Sequence, residues 1–233
     1  LVAQRHMYQY GTTSEQLAEI SVAMRRHAGM NPHAMFRDPI TIEDVLNSRM
    51  ISTPLHLLDC CVISDGGGAL IVASPEVARN CRTKPVWILG VGEAIAHQGA
   101  GMRDLTTIAA HQSAPRAFEM AGVKHDEIDL LMCYDSFTIT VMTTLEGVGF
   151  CKTGEGGDFV SGGALQIDGR VPTNTDGGGL SSNHPGQRGI FLLLEATKQL
   201  RGDFDGTPRQ VANCRLAVAH GTGTSLGTRH SGG

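Results

Sequence analysis

The sequence predicts a layered α/β fold in which parallel strands alternate with helices. Short apolar runs, continuous over residues 69–73 and nearly so over 128–133, have the look of strands buried on both faces. Between them lie stretches of ten or more residues with apolar positions at helical spacing, the pattern of crossover helices. Glycine, 30 of 233 residues, is close to twice its usual share of about 7% and is clustered near the ends of the apolar runs. Clustered glycine marks tight turns and close backbone approach.

Residues 12–29 read as a helix. Thr12 or Thr13 can cap it, Glu15 and Gln16 fall in the first turn, and Leu17, Ile20, Ala23, Met24 and Ala28 recur on one face. Asn31-Pro32 ends it. Residues 38–46 run from a loop into a short helix, with Thr41 and Asp44 in a capping box. Residues 50–64 read as an irregular connection, and Asp65-Gly66-Gly67-Gly68 leads into an apolar strand over 69–73. A composition break at 80–85 separates this from a more regular second unit. There, strands are expected at 86–91, 128–133 and 214–219, and helices at 104–121, 136–148 and 185–201.

Composition narrows the function. A net charge of −4 offers no basic field for nucleic acid or an anionic membrane. No apolar run reaches the ~18 residues of a spanning helix, and the N-terminus lacks a signal pattern. The six cysteines (60, 61, 81, 133, 151 and 214) show no metal-type spacing and read as reduced, packed thiols, so a cytoplasmic location is expected. No metal and no resident cofactor are expected. Gly90-Val91-Gly92 lacks the third glycine and the acidic residue of a dinucleotide loop, and His6, His27, His33 and His56 have no partners at ligand spacing. Asp135 and Glu146 could pair as acids, although Asp135 reads better as a helix-start acid.

Three strand exits carry unusual text. The first is Cys133-Tyr134-Asp135-Ser136-Phe137-Thr138. The second runs from Asn174 through Asp176-Gly177-Gly178-Gly179 to Asn183-His184-Pro185-Gly186. The third is His220-Gly221-Thr222-Gly223-Thr224. In parallel α/β folds the chemistry gathers at such exits. Imidazole exchanges protons near neutral pH, so His184 and His220 are candidate catalytic groups. Pro185 suggests that His184 stands at a helix start with free N–H groups facing outward. Gly221 leaves an N–H open as an oxyanion donor.

In this order, these motifs resemble the thiolase superfamily, especially its acetyl-CoA acetyltransferase, sterol-carrier-protein-type thiolase and lipid-transfer-protein branch. Tyr134-Asp135-Ser136-Phe137 stands where thiolases carry Asn-Glu-Ala-Phe, Asn183-His184-Pro185 where they carry Gly-His-Pro, and His220-Gly221-Thr222-Gly223 where they carry Cys-x-Gly-Gly. The resemblance implies a five-layer αβαβα sandwich, of which this sequence holds mainly the C-terminal half and part of the loop region. Residues 1–64 would be the loop region and the end of the N-terminal half, 65–80 that half's last strand, and 81–233 the C-terminal domain without its last strand.

By resemblance, His184 is the activator and oxyanion donor, His220 replaces the acid/base cysteine, and Tyr134 replaces the asparagine that holds a catalytic water. Gly221, Gly223, Asn183 and Phe137 would line the substrate. A nucleophilic cysteine would be supplied from outside these residues. The expected activity is thiolase-type acyl transfer on acyl-CoA thioesters, with coenzyme A entering as substrate. Tyr134 leaves open retro-aldol cleavage of a β-hydroxyacyl-CoA, and a non-catalytic acyl-CoA or lipid-binding subunit is the alternative from another class. The resemblance further implies a homodimer or tetramer, and possibly a small partner combining an OB-fold and a zinc ribbon.

Overall fold

A computed structural model describes residues 1–95, 104–223 and 231–232. The first unit opens with α1 (Val2–Tyr10), which the sequence reading missed, and α2 (Ser14–Gly29). Thr13 caps α2 in a full capping box with Gln16, and Met30 closes it. The helix α3 (Ile42–Asn47) carries the expected Thr41–Asp44 box. The connection after it holds a short antiparallel hairpin, β1 (Met50–Ser52) and β2 (Leu55–His56).

Next come α4 (Pro75–Arg79), β3 (Ala94–Ile95), α5 (Ala110–Ala121) and β4 (Leu130–Cys133). They are followed by α6 (Thr138–Val148), α7 (Gly156–Val160), α8 (Gly189–Arg201), β5 (Ala217–His220), β6 (Thr222–Gly223) and β7 (Ser231–Gly232). The central pair is β4 and β5, parallel, with Leu130 opposite Ala217 and Cys133 opposite His220. On the other flank of β4, Leu131 bridges Thr173 in parallel sense, and the Leu131 N–H donates to the Pro172 carbonyl. Every residue of β4 is buried, as a strand covered on both faces requires. Leu131 and Cys133 face α2 and α6, while Leu130 and Met132 face Leu192 and Ala196 of α8. Helices thus cover both faces of parallel strands, which is the expected α/β layering. Among the described residues, no helix is long and apolar enough to cross a membrane.

Two expected strands do not form among the described residues. Among the described residues 69–73 and 86–91 have no ladder partners, and Ile71 and Ile88 are 95% and 69% exposed. Their apolar text fits a strand, but a strand exists only where a neighbour accepts its N–H and C=O groups. Each segment instead approaches a helix through glycine. A side chain on Gly68 would strike Leu194 of α8, and one on Gly90 would strike the Ala117 carbonyl of α5.

Helix starts also moved. α5 begins six residues later than expected, because Asp104 accepts the Thr106 N–H and hydroxyl in a turn of its own. α8 begins at Gly189, so His184 stands five residues ahead of the helix and not at its start. The strand at 214–219 starts later and extends through His220.

Candidate active site

The parallel arrangement sends the chain out of β4, out of the 172–174 segment and out of β5 at one edge, so the three unusual loops share one end of the sheet. Tyr134 leaves β4 and His220 ends β5. The two are tied by the backbone, with the Tyr134 N–H donating to the His220 carbonyl at 3.0 Å. His220 is buried, and a side chain built on Gly221 would meet open space. Gly223 lies in β6; Thr224, the end of the third motif, is outside the described residues.

The second loop does not run directly into a helix. Asn174 sits in left-handed backbone at φ 50° and bridges both polar groups of Cys133, accepting its N–H and donating to its carbonyl. Gly177 and Gly178 take φ 97° and 66°, which only glycine adopts without strain. A single π-helical turn over Gly178–Ser182 follows. This turn delivers His184, whose backbone N–H donates to Ser64 Oγ at 2.9 Å and is not free to bind an oxyanion. His184 Nε2 lies 2.8 Å from Tyr134 Oη, with the two rings tilted at 37°.

The protonation of this pair follows from its surroundings. Burial, reinforced by the nearby Arg188 charge, lowers the imidazole below its ordinary value. Burial raises the Tyr134 phenol, with Cys61 and Asp135 adding to the effect. Near neutral pH both are therefore uncharged, and the tautomer with the ring proton on Nδ1 leaves Nε2 able to accept from the phenol.

Beneath the pair lies a buried charge network that sequence reading did not foresee. Asp135 does not start a helix, since α6 begins at Thr138. Its carboxylate accepts the N–H groups of Gly179 at 2.7 Å and Leu180 at 3.2 Å, and it contacts Arg188 Nε at 3.3 Å. Burial pushes this carboxyl up to about 6, against the pull of the guanidinium and the two amides. Arg188 also forks both oxygens of Asp176 at 2.9 and 2.8 Å. Nor do Asp135 and Glu146 pair. Glu146 bonds His6 at 3.0 Å beneath α1, and His6 also contacts Thr12, so that histidine is a satisfied core group.

Of the other expected lining residues, Asn183 turns its side-chain oxygen toward Arg188 at 2.9 Å. Phe137 is partly exposed and bridges Cys60. Cys61 sits against the same loop, its N–H on the Ser136 carbonyl, but burial pushes its thiol up to about 11, unlike an activated thiolate. The one sequence signal for Arg188 was indirect. Two aspartates in adjacent sheet-edge loops need a buried cation, and Arg188 is the first cation after them.

Residues 92–231 match the family described as thiolase C-terminal domain-like. The chain belongs to the thiolase superfamily. An acetyl-CoA acetyltransferase of Methanothermobacter thermautotrophicus is 40% identical over 231 residues, covering 98% of this thiolase chain and 60% of its own length. A steroid side-chain-cleaving aldolase of Thermomonospora curvata is 39% identical over 237 residues, covering 97% of the chain and 59% of its own length. Among solved structures, an Ltp2-ChsH2(DUF35) aldolase superposes with a TM-score of 0.89 at 36% identity, over 99% of the chain and 60% of its own. The thiolase chain therefore spans about 60% of the length of these relatives.

Proposed function

We propose that this protein makes or breaks a carbon–carbon bond in a coenzyme A thioester, with Tyr134 and His184 carrying the proton. The observation behind the proposal is the 2.8 Å contact between Tyr134 Oη and His184 Nε2 at the shared strand exits. A neutral phenol donating to a neutral imidazole is a proton relay ready to accept from a substrate hydroxyl.

The reaction this pair fits best is retro-aldol cleavage. The hydroxyl proton of a β-hydroxyacyl-CoA passes to the Tyr134 oxygen as the phenol proton moves to His184 Nε2. The bond between the α- and β-carbons breaks, the β-carbon becomes a carbonyl, and the electron pair remains as the thioester enolate. We assign protonation of the α-carbon to His220, at the end of the neighbouring strand, which must enter this step as the imidazolium and leaves it neutral, with Gly221 and Gly223 lining the thioester beside it. Proton exchange with solvent then resets both imidazoles. Two relatives are named aldolases, which supports this direction.

Thiolase-type acyl transfer is the second reading, favoured by the relative named acetyl-CoA acetyltransferase. It requires a cysteine sulfur facing His184, and Cys61, which sits against the Ser136 loop, has its thiol pushed up to about 11 by burial. A homodimer or tetramer, with or without a small OB-fold/zinc-ribbon subunit, belongs to the same proposal.

Product analysis separates these readings. The assembled protein is incubated with a β-hydroxyacyl-CoA, and separately with acetyl-CoA followed by intact-protein mass measurement. Release of a ketone or aldehyde with the shortened acyl-CoA, and no added acetyl mass, is the expected result. An acetylated protein without carbonyl release supports transfer, and neither signal identifies a non-catalytic binder.

A further inference from the structure

The two reacting groups come from different loops, Tyr134 after β4 and His184 after the π-helical turn. A 2.8 Å contact between such separate side chains is lost if either loop shifts by about 1 Å. Something must hold the loops in register, and the charge network lies in the right place. Arg188 Nε contacts Asp135, the residue after Tyr134. Its Nη1 donates to both the backbone oxygen and Oδ1 of Asn183, the residue before His184, at 3.2 and 2.9 Å. Its Nη2 is forked by Asp176, whose Oδ1 also accepts the Gly178 N–H at the start of the π turn.

We propose that Arg188 is a positioning residue that sets the Tyr134–His184 distance by clamping the sequence neighbours of both groups with one guanidinium. The inference rests on the proton-relay reading above. Arg188 is 1% exposed and makes its hydrogen bonds to Asp135, Asp176 and Asn183, so its geometric hold on the pair runs through their neighbours, while its charge also lowers the His184 imidazole. A planar fork suits the task because it serves acceptors on three residues at fixed angles. A lysine ammonium keeps the charge but cannot span Asp135, Asp176 and Asn183 together. Asp135 adds a second tie, since its two amide contacts pin the π turn from the β4 side.

The test uses Arg188→Lys in the intact, assembled protein. If circular dichroism shows that variant unfolded, the charge-neutral double variant Asp135→Asn/Arg188→Gln takes its place. Turnover of a β-hydroxyacyl-CoA and the nitrogen-15 shift of the His184 ring are both measured, with Tyr134→Phe as reference. The clamp predicts that kcat falls about 10²-fold while KM stays within about threefold. It also predicts that the His184 shift moves to the value found in Tyr134→Phe, reporting a lost hydrogen bond. Unchanged kcat, or lost kcat with the wild-type His184 shift retained, would overturn it. If Tyr134→Phe itself turns over normally, the relay reading fails, and the His184 shift in the Arg188 variant still decides whether the clamp exists.

Discussion

At the residue scale, the proposed chemistry depends on an imidazole that must be neutral to accept a proton. His184 is held below its ordinary value by burial first and by Arg188 second. A base active in its unprotonated form gains activity as pH rises through its pKa. The acidic limb of kcat/KM is therefore expected below the usual imidazole value of about 6.5, and a pH–rate profile checks it. A limb above that value would mean that the Tyr134–His184 pair takes up its proton differently. His27 makes a separate prediction about stability. It is fully buried and its pKa is lowered to about 4, chiefly by burial. The folded value lies below the unfolded one, so between pH 6.5 and about 4 the unfolded chain binds a proton that the folded chain refuses. Stability is unaffected above that window and falls by up to about 3 kcal/mol as pH drops through it. His27→Gln should flatten this part of the acid-denaturation curve, measured by urea unfolding at several pH values.

At the scale of elements, glycine decides how closely the loops approach. A side chain on Gly179 would meet His184 Cδ2 at 2.9 Å and Asp135 Oδ1 at 3.1 Å. Gly179→Ala is expected to cost about 1–3 kcal/mol through overcrowding and to reduce kcat by displacing the imidazole. Thermal unfolding and steady-state kinetics read the two effects separately. The same elements show what the sequence could reveal. α3 was legible to its cap, because the Thr41–Asp44 box is a local signal, while for α2 the sequence left Thr12 and Thr13 as alternatives and the structure shows Thr13 boxed with Gln16. β4 was legible because a continuous apolar run has few other homes. Residues 69–73 and 86–91 carried equally apolar text yet form no strand among the described residues, since pairing needs a partner that local sequence does not supply. In the site, Tyr134 and His184 were visible through motif order. Their contact, and the link through Arg188, depend on long-range geometry: a separation of 50 residues in one case and 53 in the other.

At the scale of the whole molecule, buried ion pairs join the site to the core. Arg188 joins Asp176 and Asp135, while Arg209 pairs with Glu195, which also accepts the Thr175 hydroxyl at 2.7 Å. Arg209 reaches Asn31 beyond α2, so the second loop is braced from both sides of the sheet. A further buried contact, His6 with Glu146, lies beneath α1, where Glu146 also accepts the N–H groups of Gly154 and Gly156. His6→Ala should destabilise the fold by about 1–3 kcal/mol, visible in chemical denaturation, and leave kcat intact. In the proposed reaction the work falls to one hydrogen bond, between Tyr134 and His184. The most direct test is therefore the rate of carbonyl release from a β-hydroxyacyl-CoA by folded Tyr134→Phe. A fall of about 10²–10⁴-fold with substrate binding preserved is predicted from loss of the proton-carrying hydroxyl. Cleavage at the wild-type rate would contradict the proton relay.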